Sequence, residues 1–435
     1  MKRHITFSQA LATVVGTVIG GGVFFKIGTI TRQTGSTSLA LFVWVLAGVL
    51  SIASGLTVSE IAAALPVTGG TIEYISYTYG KLWGFLFGWA QMLVYYPANI
   101  GALSVVFAQQ LATMLGISLR WTSLLAIGTA VFITALNFIG TKFSIRMQAV
   151  VTFLKFIPLI LIVAFGITNA NKIGIQIFPL APGHGHTFDS ALSQGLLSAL
   201  FAYDGWIGVT NLAGEVQNPE KNMSRAIILG LSLITVIYIA VNYTFMTVLP
   251  FNKIMGNANA AYQACLHLFG KLGGLLVNIG ILVSVYGAIN GFTLAGIRIP
   301  YVLAKKKRLP FANKIGRANV NTGVPTISAL LILAIACVMI LLGSFDLLTD
   351  MLVFVMWTFT TLVSIAVVVL RLREPELNRP YIVPWYPVIP IISIGGGLFV
   401  IISTIINQPV LSLIGLGLTA LGIPVYYWSR RWQEN

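Results

Sequence analysis

Gly16-Thr17-Val18-Ile19-Gly20-Gly21-Gly22 interrupts the first apolar run of this chain, and Phe201-Ala202-Tyr203-Asp204-Gly205-Trp206 interrupts another at the matching place in the second half. Inside a bilayer a broken helix leaves N–H and C=O groups unpaired, which is tolerable only where they line a cavity or hold a ligand. Paired interruptions in corresponding positions of two halves are the best sequence pointer to a transporter's binding site.

The surrounding composition fits a membrane setting. Charged residues make up 9% of the 435 and hydrophobic ones 57%, against roughly 25% charged in an average soluble domain. Apolar runs long enough to cross a core of about 30 Å recur along nearly the whole length, with no room for a large soluble domain between them. The net charge of +15 is carried in short loops, not along one folded face, so topology explains it better than nucleic acid. With a cytoplasmic N-terminus and alternating spans, about 18 of the 26 Lys and Arg fall inside, among them Lys2, Arg3, Lys142, Arg146, the Lys305-Lys306-Lys307-Arg308 run, Arg371, Arg379, Arg430 and Arg431. About five fall outside, which is the positive-inside bias. The first segment is too long, and lacks the small-residue cleavage site, for a removed signal peptide. The two cysteines, Cys265 and Cys337, indicate neither a disulfide framework nor a metal cluster.

Hydropathy read against Gly, Pro and charge punctuation predicts an all-α integral membrane protein of twelve spans. They lie near 7–30, 38–64, 82–112, 121–139, 144–167, 190–213, 224–249, 271–303, 325–343, 346–370, 385–406 and 409–428. Both termini are then cytoplasmic. The two broken segments are offset by five spans, the first and the sixth, so spans 1–5 and 6–10 have opposite membrane orientation, the arithmetic of an inverted repeat. The expected organisation is a first repeat over 1–168, a second over 169–370, and spans 11–12 with the C-terminus over 371–435. Two connections stand out, Pro66 to Tyr74 after span 2 and Gly214 to Asn222 after span 6; both also fit ordinary loops.

A zwitterion such as an amino acid, stripped of water, needs partners for its carboxylate and its ammonium. Free N–H groups at Gly20, Gly21 and Gly22 would begin the outer half of span 1, a positive helix end suited to a carboxylate, and glycine lets a ligand approach the backbone. Orphan carbonyls around Thr17, Val18 and Ile19, and around Phe201, Ala202 and Tyr203, would receive the ammonium. The competing reading of Gly16 and Gly20 is close helix packing; three consecutive glycines fit that less well, since each weakens a helix by up to about 1 kcal/mol relative to Ala. Asp204, the carboxylate deep within an apolar run, either binds an ammonium or caps the second half-helix of span 6, the cap being preferred. Lys155 lies mid-span, too deep to snorkel, and serves as a fixed charge, a titrating group or a structural tether.

Lys26 and Arg298 are expected to line outer and inner aqueous vestibules, and Glu60 to pair with a basic loop residue. Trp83, Phe85, Trp89, Tyr95 and Tyr96 of span 3 read as core and interface anchors. No nucleophile–base arrangement, metal spacing or phosphate loop stands out, and Gly20-Gly21-Gly22 follows no strand, so a dinucleotide reading fails on context. No enzyme activity, metal or cofactor is expected.

Together these motifs resemble the amino acid-polyamine-organocation superfamily, and within it the L-type amino acid transporters. The most specific pieces are Gly16 to Phe24, Phe201 to Trp206, Gly214 to Pro219, and Gly287-Ala288-Ile289-Asn290-Gly291 in span 8. The resemblance covers essentially the whole chain. It implies a LeuT-like 5+5 inverted repeat with discontinuous helices 1 and 6, and sodium-independent exchange of small neutral L-amino acids of the Ala/Ser/Cys type across a plasma membrane. It also implies Gly20 to Gly22 as the carboxylate site, Phe201 to Tyr203 as the ammonium site, and Phe201 as an aromatic that closes over substrate from outside. By the same resemblance Lys155 stands between the broken span 1 and span 8, Tyr238 helps it couple occupancy to closure, and Asn290 joins the coupling set. There are two departures. The loop Thr113 to Arg120 has no cysteine, where animal members bridge an ancillary glycoprotein, so no disulfide-linked subunit is expected. The usual Gly-Ser-Gly at the first break is Gly20-Gly21-Gly22 here, which removes a hydroxyl and leaves substrate size open. The alternatives are a proton symporter for neutral or cationic amino acids or polyamines, and a non-transporting amino acid sensor. A channel is disfavoured because the expected site is a dehydrating cage.

Overall fold

The structure, a computed structural model, describes residues 5–65, 67, 69–169, 174–183 and 185–434, with the side chains of all of these except 141–143, 145, 146, 167, 169, 211–215, 220 and 430–434. Of the expected cytoplasmic cations, Lys2 and Arg3 lie outside the described residues, as do the side chains of Lys142, Arg146, Arg430 and Arg431. Pro66 and Thr68 of the first connection lie outside them too, with the side chains of Glu215 and Glu220 of the second.

The described residues form helices and no strand; one isolated bridge joins Ile5 to Val216. Among the described residues nine helices are long and apolar enough to cross a membrane, ten if Phe7–Val18 and Gly22–Thr34, bent by 44° at their junction, make one span. The other two expected spans coincide with Thr326–Leu342, an apolar helix of 17 residues, and with Phe188–Ala202, which runs on into a 3-10 helix over Trp206–Glu215. The expected start of span 8 at 271 matches a kink at Gly270, where φ is 67° inside Ala260–Gly296.

Two compact units interleave along the sequence. The first comprises Met1–Gly84, Ile157–Asn278 and Met356–Pro409. Its helices meet through glycines whose missing side chains set the spacing. A Cβ on Gly48 would sit 2.5 Å from Thr235 Oγ1, where Thr37–Ala64 packs on Pro219–Val248, and one on Gly230 would sit 2.7 Å from Val14. Such close approach lets dispersion contacts and hydroxyl bonds act between helices where lipid offers no hydrophobic drive. A buried hydroxyl relay of Ser54, Ser393 and Ser364, at 2.9 and 2.8 Å, ties Thr37–Ala64 to Val388–Asn407 and Phe345–Arg373.

Glu60 does pair with basic residues at the end of its helix. It is 1% exposed, accepts from Arg371 Nε at 2.7 Å and Nη2 at 2.5 Å, takes the Val383 N–H at 2.8 Å, and lies 3.7 Å from Arg379 Nε. Arg379 also donates to the carbonyls of Leu370 and Glu374, closing the end of Phe345–Arg373. Burial and the Glu60 charge raise the Tyr381 phenol above its ordinary range. A buried carboxylate so fully hydrogen-bonded meets the condition under which such a charge is tolerated.

The second unit comprises Phe85–Phe156, Ile279–Val355 and Val410–Asn435. Tyr96–Leu115 packs there on Thr122–Ile139 and Thr326–Leu342. A π-helical turn at Gln91–Tyr95 leads into Tyr96–Leu115. The expected anchors divide: Phe85, Tyr95 and Tyr96 are buried, Trp83 is exposed, and half-buried Trp89 donates from Nε1 to Leu418 O at 3.0 Å.

Candidate functional site

The first break is an uncapped helix start. Side chains cap two neighbouring helices, with Thr6 and Gln9 forming a capping box on Phe7–Val18 and Ser36 capping Thr37–Ala64. At the break, Phe7–Val18 ends with Ile19 in extended backbone, and Gly22–Thr34 begins after Gly21 with no side-chain cap. Gly21 O accepts from Phe24 and Phe25 at 3.1 Å each, so the amides of Gly22 and Val23 precede any intrahelical acceptor. A helix end left without a cap inside an apolar segment can receive an anion.

The second break falls where expected and has a different form. Phe188–Ala202 ends at Tyr203, and Gly205, at φ 105°, turns the chain into the 3-10 helix. The preferred reading of Asp204 as the N-cap is corrected here. Gly205, which has no side chain to offer, occupies the cap position, and the helix that follows is 3-10, not a second α half-helix. Only glycine takes that φ readily, and a Cβ there would lie 3.0 Å from Thr17 O. Asp204 instead lines a cavity of about 10 Å³ with Ser51, Tyr203, Trp357 and Thr360. That space holds about one water.

The two breaks touch. A Cβ on Gly22 would stand 2.7 Å from Ala202 Cα and 2.8 Å from its Cβ, so the outer half of the first broken segment rests directly on the end of Phe188–Ala202. Gly22 thus carries a packing role as well as an open amide. Tyr238, fully buried on Pro219–Val248, sets its hydroxyl 3.1 Å from Val18 O and 3.0 Å from Ala202 O. One phenolic proton therefore serves the last carbonyl before each break. Trp44 and Tyr203 hold that ring edge-on: centroids lie 5.7 Å apart for Trp44–Tyr238 and 5.2 Å for Tyr203–Tyr238, and the Tyr203 hydroxyl donates to Trp44 O at 3.0 Å. Sequence reasoning missed Trp44 and Ser51. Both lie in unbroken apolar runs and carry no local signal.

Lys26 departs from expectation. It is fully buried, its Nζ 5.6 Å from the centroid of the Phe201 ring, whereas it was expected to face an outer aqueous vestibule. Cation–π attraction to a buried ring repays part of the lost hydration. Thr17 is exposed, while Val18, Ile19, Gly20 and Gly21 are buried beside it. Arg298 is exposed and donates to Leu294 O of its own helix turn.

Lys155 and Asn290 belong to the second unit. Lys155 is 1% exposed, at a break between Thr141–Leu154 and Phe156–Asn169, with its N–H still bonded to Val151 O at 3.0 Å. A Cβ on Gly287 would stand 2.2 Å from Val151 Cγ1, and one on Gly291 3.1 Å from Gln148 Nε2, so these segments pack face to face. Asn290 bridges them, accepting from Asn137 Nδ2 at 3.0 Å and donating to Gln148 Oε1 at 2.8 Å. Lys155 follows Gln148 by two helical turns and so points to the same side. Among the described residues no group of three or more His, Cys, Asp or Glu could hold a metal ion, and Cys265 and Cys337 are free.

The arrangement offers a zwitterion open amides on one side and two carbonyls sharing one donor on the other. Comparison with known proteins gives the family. The family model described as amino acid permease matches residues 5–427. The chain is 37% identical to the serine/threonine exchanger SteT of Bacillus subtilis (strain 168) over 432 residues, covering 99% of this chain and 98% of that one. It is 27% identical to the cystine/glutamate transporter of Homo sapiens, covering 100% of this chain and 87% of that one. With the Asc-type amino acid transporter 1 of Mus musculus the identity is 24%, over 100% of this chain and 82% of that one.

Proposed function

This chain belongs to the amino acid permease family, and from that membership we propose that it is a sodium-independent secondary transporter exchanging small neutral L-amino acids of the Ala/Ser/Cys type across the plasma membrane. The proposed architecture is a LeuT-like 5+5 inverted repeat of spans 1–10 with two further C-terminal spans, both termini cytoplasmic. The similarity to a serine/threonine exchanger supports a small substrate and exchange.

The observation that carries the reading is the Tyr238 hydroxyl held between Val18 O and Ala202 O, directly beside the uncapped start of Gly22–Thr34. In the proposed pose the substrate carboxylate takes the amides of Gly20 to Gly22. The ammonium takes the carbonyls of Thr17 to Ile19 and Phe201 to Tyr203, and Phe201 closes over it. Lys155 acts as a fixed charge in place of sodium, with Tyr238 and Asn290 in the coupling set. No disulfide-linked subunit takes part.

The test is uptake of labelled serine into proteoliposomes that are either empty or preloaded with serine. Uptake should need preloading and should be unchanged when potassium replaces sodium. Robust uptake into empty vesicles under a pH gradient would replace exchange by proton symport. Because Asp204 lines the cavity, a cationic substrate is the second reading; inhibition of serine exchange by lysine or a polyamine would favour it.

A further inference from the structure

A groove of about 420 Å³ opens in the second unit between the connection after Arg298–Lys305 and the end of the chain's last helix. Lys307, Pro310, Phe311, Lys314 and Trp428 line it. Its walls are of two kinds. Phe311 is 74% exposed and Trp428 47% exposed. Lys307 and Lys314 are its basic lining; Lys305, Lys306, Arg308 and Arg317 lie close to them in a sequence with no acidic residue from Lys221 to Phe345.

The backbone here is shaped against side-chain preference. Arg298–Lys305 ends in a tight turn, Arg308 N–H donating to Leu303 O at 2.9 Å and Lys307 N–H to Ala304 O at 2.8 Å, with Lys307 at φ 53° where glycine is usual. Phe311, at φ 56°, heads Ala312–Ile315. A bulky residue at positive φ is a genuine outlier, and such strain marks positions held for function. Burial does not account for Phe311, because the strained residue turns its ring outward.

An exposed aromatic pair beside a cluster of cations matches the interface of a membrane, where rings sit at headgroup depth and basic groups draw anionic lipid. We propose that this groove binds one anionic phospholipid of the cytoplasmic leaflet. Its phosphodiester lies against Lys307 and Lys314, and its glycerol and first methylenes lie against Phe311 and Trp428. The leaflet rests on the orientation proposed above; the lipid chemistry does not.

The test uses the full chain, delipidated in detergent and examined by native mass spectrometry and thermal melting. The added probes are phosphatidylglycerol, phosphatidylcholine or inorganic phosphate. The parent should retain one phosphatidylglycerol and melt higher with it, and do neither with the other two. The K307Q/K314Q variant should retain it roughly 10- to 30-fold less, the loss for two surface cations. Phe311→Gly should melt no lower than the parent without lipid, since glycine suits that φ, and should lose the lipid-dependent rise. Equal retention of the two lipids, unchanged retention in either variant, or an equal rise with inorganic phosphate would each overturn the site. Asn313→Cys, probed with a membrane-impermeant maleimide in sealed right-side-out vesicles, should react only after permeabilisation. Reaction from outside would overturn the leaflet assignment and the orientation together, without touching the retention result or the exchange assay.

Discussion

Gly22→Ala is the sharpest test of the contact between the two breaks. The added Cβ would meet Ala202 Cα at 2.7 Å and Ala202 Cβ at 2.8 Å. Ordinary contact begins at 3.4 Å, so the two segments must part by about 0.7 Å. The obstacle is backbone, which has no rotamer to yield, and overpacking of this kind costs typically about 1 to 3 kcal/mol. If the cost falls on the conformer with the breaks closed, that conformer is depopulated by roughly 5- to 150-fold. Exchange in preloaded proteoliposomes should slow accordingly, and the melting temperature in detergent should fall. Gly208→Ala is the control, because a Cβ there has nothing within 4 Å; it should exchange and melt like the parent. Adding Ala202→Gly to Gly22→Ala removes the 2.8 Å contact and leaves the 2.7 Å one, so it should restore only part of the loss. Parental kinetics and melting in Gly22→Ala would refute the contact, and full restoration by Ala202→Gly would refute its backbone character.

Tyr238→Phe keeps the ring against Trp44 and Tyr203 but strips the donor from two buried carbonyls, which should cost about 1 to 3 kcal/mol; a melt and an exchange assay check it, and unchanged values in both would remove the hydroxyl from the account. Lys155→Ala should leave the protein folded by size-exclusion chromatography while exchange is impaired, and unaltered exchange would take Lys155 out of the mechanism. Glu60→Gln should lower the melting temperature through a loss of roughly 2 to 4 kcal/mol, moderated because Arg371 and Arg379 keep 20% and 12% side-chain exposure; an unshifted melt contradicts the buried-pair reading. Lys26→Met should preserve the fold and change the rate at which Phe201 closes, seen as altered exchange with a similar melting temperature.

The sequence showed the breaks because glycine runs and a Tyr-Asp-Gly turn are local signals, and local backbone preference decided the outcome there. The same locality misled at Asp204. Asp204 was preferred as a cap over an ammonium ligand, and the left-handed Gly205 that follows takes the cap position instead. Lys26 was misjudged for the opposite reason. It lies over the Phe201 ring, remote in sequence, and no pattern around Lys26 announces that ring. Glu60 was easier, since a carboxylate ending an apolar helix must find a cation; its partners at 371 and 379 could not be named in advance. Tyr238 sits in an apolar run whose periodicity says only that it is inside, and its place between two carbonyls needed three segments assembled.

The Tyr238 hydroxyl has a consequence that follows from counting hydrogens. Two carbonyls share one proton, so neither has a full donor of its own. An ammonium brings three. Under the proposed function, closing around substrate supplies every acceptor, while closing empty leaves the ledger of donors one short, at a cost of about 1 to 3 kcal/mol. An empty protein would then return roughly 5- to 150-fold more slowly than a loaded one. That ratio, fixed by a single shared proton, would make a strict trade of one molecule for another the natural behaviour of this chain.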